Sequence, residues 1–214
     1  MRFCVIGLGR FGYQLATVLA ENGMEVIAID SNESIVNSIR DQVTQAICMR
    51  ITDEASLRSI GVDEIETVIV ATGENFAQSI LITALLKKRL QISKVIARAI
   101  NDIHQDILKL VGADRTILPE KEIGIRLAHS LSSPFTDVTQ MTKNFFISQM
   151  AAPQKFVGQS IESLDLFKNY KIHCIGIKQT DEKVIALDPA YVIKEKDRLV
   201  FAGHKNDLEK IAKL

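Results

Sequence analysis

The residues best suited to chemistry stand near the start of the chain, where Gly7-Leu8-Gly9-Arg10-Phe11-Gly12 fits G-x-G-x-x-G directly after the apolar run Phe3 to Ile6. Between a strand and an amphipathic helix, such a loop cradles phosphate. The first glycine permits the turn, the second lets phosphate approach the backbone, and the third lets helix pack on strand. Exposed N–H groups and the positive helix end supply the attraction. Asp30 closes the next apolar run, Val26 to Ile29, roughly twenty residues beyond the glycines, where a carboxylate can accept hydrogen bonds from both ribose hydroxyls. The same charge would repel a 2′-phosphate, so NADP is disfavoured. A local reading is also open, in which Asp30 with Ser31 caps the following helix. Ala71-Thr72-Gly73 places small residues at the end of the fourth apolar run, either beside the ligand crevice or as an ordinary strand-to-helix turn.

Other chemistry lacks its parts. His104, His129, His173 and His204 are scattered, with no H-E-x-x-H or other metal spacing, and read as surface or packed residues. No G-x-S-x-G, Walker lysine or P-C-x-x-C is present, and no catalytic residue is assigned. Cys4, Cys48 and Cys174 lie far apart among β-forming residues and are expected to be buried, reduced thiols.

These groups need a scaffold. Up to about Ser132, short β-branched runs alternate with helical stretches, the pattern of an α/β parallel sheet covered on both faces. Strands are expected at Phe3 to Ile6, Val26 to Ile29, Gln45 to Cys48, Val68 to Ala71, Val95 to Ala97 and Thr116 to Leu118. Right-handed crossovers then give a Rossmann-type, doubly wound sheet of order 3-2-1-4-5-6. In the next segment Pro119 suits a first helical turn, and Ile123, Leu127 and Leu131 repeat on one face. Serine and proline interrupt the pattern after it, so a linker is expected over Ser133 to Thr139, between domains at 1–132 and 140–214. The second domain reads as a small α+β module. Its strands are expected at Asn144 to Met150, Ile172 to Ile177, Lys183 to Ile185 and Arg198 to Phe201, with helices at Ser163 to Lys168 and Asn206 to Ala212.

Twenty-six basic residues offset twenty-six acidic ones, so no global field draws the chain to nucleic acid or an anionic membrane. The first apolar run is too short for a signal-peptide core, and no stretch reaches the roughly 18 to 20 apolar residues that span a bilayer. A cytoplasmic protein that reaches a membrane only through a partner is expected.

GLGRFG, Asp30 and the segment VGADRTILPEKEIG, Val111 to Gly124, together resemble the RCK or KTN family of potassium-conductance regulators. The likeness is to its stand-alone Trk/Ktr-type uptake subunits, with a Rossmann RCK_N domain and an RCK_C domain. It covers nearly the whole chain, continuing through Leu164-Asp165-Leu166, Ile175-Gly176-Ile177, Asp188-Pro189 and Lys196 to Gly203. The resemblance implies that Arg10 reaches a terminal phosphate, Asp30 holds ribose and Arg98 lines the nucleotide cleft. It sets Glu120 near phosphate and a bound cation such as Mg2+. From chemistry alone, Glu120 also reads as an acid favoured by a helix N-terminus. The implied cofactor-binding set is Gly7, Gly9, Arg10, Phe11, Gly12, Asp30, Ser31, Arg50, Ala71, Thr72, Gly73 and Arg98, with Glu120 as the metal candidate. The implied ligands are ATP, ADP or NAD(H). The implied partners are further copies of the chain, paired into dimers through Ile123, Leu127 and Leu131 that build an octameric ring, and a membrane potassium transporter or channel that the ring gates from the inner membrane face.

Two departures mark this chain. Many relatives carry Gly-Asp-Ala-Thr after the third strand, where this chain has Met49-Arg50-Ile51-Thr52, so Arg50 stands where an acid would read adenine. A guanidinium can stack on the base instead. Some relatives bind cyclic di-adenosine monophosphate in RCK_C through an arginine near Phe167 and Lys168, and that arginine is absent here.

The rival reading is a small NAD-dependent oxidoreductase using the same loop. It needs proton-transferring groups facing the nicotinamide, for which the small second domain offers only His173 and His204. A redox-sensing repressor would need a basic helix-turn-helix segment, which is missing. Regulation by nucleotide binding is the expected function.

Overall fold

The computed structural model describes residues 1–73, 75–132, 135–178 and 184–214, and the backbone alone at 129, 130, 132, 136 and 137. It divides into two compact units, Met1–Lys121 and Glu122–Leu214. The first alternates strands and helices: β1 Arg2–Ile6, α1 Arg10–Glu21, β2 Glu25–Asp30, α2 Glu33–Ile39, β3 Gln45–Cys48 and α3 Glu54–Ser59. It continues with β4 Thr67–Val70, α4 Phe76–Ala84, β5 Lys94–Arg98, α5 Asp102–Leu110 and β6 Arg115–Ile117. The division falls within α6, Pro119–Ser132.

All six strands of this unit are parallel, in the expected order β3-β2-β1-β4-β5-β6. A sheet covered on both faces demands apolar residues on both. Every residue of β4 is buried, as are Cys4, Val5 and Ile6 of β1. One core layer gathers Ile29, Leu57, Val68, Val70, Ile82 and Leu108 on one face; the other gathers Val5, Val26, Ala28, Ile39 and Ile69. Each fully buried branched side chain contributes about 1.5 to 3 kcal/mol. Pairing sets Ile6 beside Ile29 and Val70, Asp30 beside Cys48, and Arg98 beside Ile117. The carboxyl ends of the strands therefore form one edge, and the order reverses between β1 and β4, where open α/β sheets receive ligands.

In the second unit, β7 Thr136–Gln140, β8 Phe145–Ala151, β9 Ile172–Lys178, β10 Val184–Ile185 and β11 Arg198–His204 form an antiparallel sheet of order β10-β9-β11-β8-β7. Short helices α7 Ile161–Leu164, α8 Leu166–Tyr170 and α9 Lys205–Ile211 accompany it around Phe156, Ile172, Ile177, Leu199 and Phe201.

Several expectations change. The supposed linker is in part a strand: Thr136 to Thr139 belong to β7, paired with β8, because Phe135 and Val138 enter the core and outweigh the local break signal. Ser133 and Pro134 lie outside the described residues. The single helix expected over Ser163 to Lys168 is two, broken where Asp165 takes the left-handed conformation at φ +38°. Strand β10 starts at Val184, and the expected first residue, Lys183, lies outside the described residues. Cys4 and Cys174 are buried and free, and burial pushes their thiols up to about 12 and about 11. Cys48 is exposed, contrary to expectation, because it ends the edge strand β3.

Candidate functional site

The glycine loop begins where β1 leaves the sheet. Gly7 has φ +95°, a conformation open to glycine, and its N–H donates to the Ile29 carbonyl at 2.8 Å. A Cβ on Gly7 would stand 2.7 Å from Thr72 Cγ2 and 2.8 Å from the Thr72 amide nitrogen. One on Gly12 would overlap the Gly7 carbonyl oxygen and reach within 3.0 Å of Ala71 Cβ, so the third glycine is what lets α1 lie against the sheet. Gly9 differs. It has φ −62° and ψ −178°, and a Cβ placed on it would have no atom within 4 Å. The fold gives no reason for a glycine there, whereas close approach of a ligand does.

Helix ends sharpen the point. Asn32, Asp53, Asn75 and Asn101 cap α2, α3, α4 and α5 through their side chains, and Asp53 closes a capping box with Ser56. Helix α1 starts at Gly9 with no side-chain cap and no acid in its first turn. Its positive end and first-turn amides stay free for an anion.

Beside the loop is a cleft of about 290 Å³, part of it open to solvent, lined by Ile6, Gly7, Ile29, Asp30, Ser31, Met49, Arg50, Ile51, Thr72 and Gln78. Four apolar side chains, Ile6, Ile29, Met49 and Ile51, line it beside five polar or charged ones, a mixture that suits the base and sugar of a nucleoside. Of the sequence-predicted residues, Gly7, Asp30, Ser31, Arg50 and Thr72 come together here. Gly9 and Arg10 stand on the adjoining loop and helix start, and Arg10 is exposed. Phe11 is half-buried in the core layer around Val5 and Ile69, and Ala71 is buried in the same layer, so both contribute to packing.

Asp30 fastens backbone on both sides of the cleft's edge. Its Oδ2 accepts the Leu8 N–H at 2.6 Å and its Oδ1 accepts the Asn32 N–H at 2.8 Å. The helix cap is Asn32, whose Oδ1 accepts the Ser34 N–H at 3.0 Å, so the capping role read for Asp30 and Ser31 belongs one residue later.

Arg98, Gly73 and Glu120 form a second group. A Cβ on Gly73 would overlap the Arg98 guanidinium, and Arg98 Nη2 donates to Glu120 Oε1 at 2.6 Å. Its own backbone N–H and then Arg98 hold the Glu120 carboxyl below the usual range. Among the described residues, Arg98 Nε and Thr72 Oγ1 are buried with no hydrogen-bond partner, two polar atoms suited to a polar ligand. A resident metal fits less well. Glu120 is an exposed carboxylate already paired with a guanidinium, and no group of three or more His, Cys, Asp or Glu suited to a metal occurs among the described residues.

The histidines go elsewhere. His104 is fully buried, with Nδ1 accepting the Ile100 N–H at 3.3 Å and Nε2 2.7 Å from Ser79 Oγ, which fixes the proton on Nε2. Burial lowers its pKa. His173 stacks on Phe167 at 4.7 Å and His204 meets Phe145 edge-on. The His129 side chain lies outside the described residues. Sequence reasoning missed Met49, Ile51 and Gln78 as cleft walls. Gln78 Nε2 donates to the Ile51 carbonyl at 3.1 Å, a contact between residues 27 apart that no local pattern signals.

Family models match the TrkA-N domain over residues 3–119 and the TrkA-C domain over residues 148–214. The chain is 37% identical over 210 residues, 98% of its length and 94% of the relative's, to Ktr system potassium uptake protein A of Bacillus subtilis (strain 168). It is 33% identical over 212 residues to Ktr system potassium uptake protein C of the same organism, covering 99% and 96%. Among solved structures, GsuK bound to ADP is 26% identical with a TM-score of 0.54, over 61% of this chain and 33% of that one. The GsuK channel bound to NAD shares the fold over 99% of this chain at 22% identity and a TM-score of 0.54, and this chain spans 38% of it. Among the described residues, no helix is long and apolar enough to cross a membrane.

Proposed function

The chain belongs to the TrkA-N and TrkA-C family of potassium-uptake proteins, and on that premise we propose that it is a regulatory subunit that binds an adenine nucleotide in the Asp30 cleft and gates a membrane potassium transporter or channel. The observation that carries this reading is the pairing of an uncapped α1, beginning at a sterically unconstrained Gly9, with a carboxylate at the end of β2. Phosphates meet the loop amides and Arg10, ribose meets Asp30, and the base enters among Ile6, Ile29, Met49 and Ile51 with Arg50 stacked at the mouth. ADP, ATP and NAD(H) all satisfy this chemistry, and the ADP-bound GsuK structure supports an adenine nucleotide. Glu120 does not fit Mg2+ here, since it already has a cationic partner.

The subunit works by differential binding, with no catalytic residue assigned to it, and sits at the cytoplasmic membrane face through its partner. Assembly of copies is supported by two apolar exposed faces. Ile123, Leu127 and Leu131 stand on α6, while Ile103 and Leu110 stand on α5 with Ile100 just before it. Two distinct contact faces are what a ring of dimers requires. Calorimetric titration with ADP, ATP, NAD and NADH, with and without magnesium, tests the binding. Saturable one-site binding that survives magnesium removal is expected, and heats of dilution alone for all four would refute the reading.

Switching requires a contact that one nucleotide makes and another cannot. Arg10 begins α1 with its side chain in solvent, and its planar fork can clamp γ-phosphate oxygens from its own or a neighbouring subunit. Arg10→Ala is expected to keep ADP affinity within about threefold yet lose roughly tenfold or more for ATP, the size of a charged hydrogen bond. Equal losses for the two nucleotides would remove Arg10 from the discrimination.

A further inference from the structure

The glycine loop has little of its own to hold it in shape. Gly7 carries a positive φ, a Cβ on Gly9 would have no atom within 4 Å, and three glycines in six residues give the unfolded segment added freedom to lose. The Gly7 N–H ties the loop's entry to Ile29, and the Tyr13 N–H bonds the Gly9 carbonyl where the helix begins. Between these points, among the described residues, the side chain that fastens the loop is Asp30, through the Leu8 N–H at 2.6 Å. The other carboxylate oxygen takes the Asn32 N–H at 2.8 Å, and the Asn32 side chain caps α2 through Ser34 and Ile35. One carboxylate thus links the middle of the loop, the end of β2 and the start of α2.

We infer that Asp30 is a positioning residue for the phosphates as well as the acceptor for ribose: its bond to the Leu8 amide sets the loop in the shape that receives the pyrophosphate. The two roles do not compete. Each ionised carboxylate oxygen has two lone-pair sites, so with one taken by a backbone N–H, each oxygen keeps one for a ribose hydroxyl. The loop is therefore preorganised before ligand arrives, and the affinity for the phosphate end depends on a residue that does not touch it. This inference rests on the proposed nucleotide site, deepens it, and gives a different expectation from simple ribose recognition. If Asp30 only held ribose, removing its carboxylate would matter solely for ligands that carry the hydroxyls.

The test pairs Asp30→Ala and Asp30→Asn with ADP and 2′,3′-dideoxy-ADP, and measures the Leu8 amide by hydrogen exchange without ligand. In the ligand-free wild type the Leu8 N–H is expected to be protected, with protection lost in Asp30→Ala and partly kept in Asp30→Asn, whose single carboxamide oxygen can still accept. Dideoxy-ADP is expected to bind Asp30→Ala roughly tenfold or more weakly than it binds the wild type, the scale of one charge-assisted bond. Dideoxy-ADP affinity within twofold of wild type, or unchanged Leu8 exchange in the alanine variant, overturns the positioning role. Should Asp30→Ala unfold, Asp30→Asn carries the same comparison with a smaller expected loss. Failure of ADP itself to bind the wild type while Leu8 depends on Asp30 in exchange would instead sink the nucleotide reading, so the two failures are told apart.

Discussion

Gly9→Ala is expected to fold with unchanged stability and to lose adenine-nucleotide affinity by about a hundredfold or more. The backbone angles at Gly9 suit alanine, and the new methyl group would meet no protein atom within 4 Å. In the proposed site a ligand phosphate comes against the backbone at that point, so a methyl there would push it off the loop amides and forfeit charged hydrogen bonds of about 1.5 to 3 kcal/mol each. Gly12→Ala is the contrasting case. Its Cβ would overlap the Gly7 carbonyl oxygen, so α1 must shift from the sheet, at a cost of about 1 to 3 kcal/mol or more in stability. Urea melts beside calorimetry separate the two. Equal stability and equal binding for Gly9→Ala and the wild type would show that no phosphate reaches the loop.

Leu127→Glu is expected to break the α6 contact and reduce the assembled protein to smaller species. On α6, Ile123, Leu127 and Leu131 are 52%, 56% and 79% exposed in the single chain and recur every fourth residue, so they form one apolar stripe that needs a cover. In a two-fold contact the substitution counts twice, placing two carboxylates in a dry interface. Burying a polar group without a partner costs about 2 kcal/mol or more, so the dissociation constant should rise roughly a thousandfold. Light scattering at micromolar concentration reads the result. A wild-type monomer, or a variant that assembles as the wild type does, would contradict the role given to this face.

The parallel sheet was legible because its signals are local. Strand-forming runs of three or four residues, Gly7 to Gly12, and the acid closing β2 are all short-range patterns, and right-handed crossovers then leave little choice of order. What escaped was non-local. Strand β7 is held by pairing with β8 and by Phe135 and Val138 in the second core, against a Ser-Ser-Pro signal that reads as a break. The cleft wall at Gln78 follows from α4 meeting the loop after β3, and the bond from Asp30 to Leu8 spans 22 residues. Glu120 shows the same limit. Its place at the start of α6 was readable, while its arginine partner, 22 residues earlier, was not. Cys48 was misread because an apolar strand at a sheet edge resembles one at its centre.

Under the proposed function, nucleotide bound in the Asp30 cleft controls potassium movement through a membrane partner. Potassium flux in vesicles carrying that partner, with the wild-type chain added and ATP exchanged for ADP, tests it most directly. Flux is expected to differ between the two nucleotides with the wild type and to become indifferent to them with Gly9→Ala. Flux that ignores nucleotide in the wild type, or that Gly9→Ala regulates equally well, would contradict it.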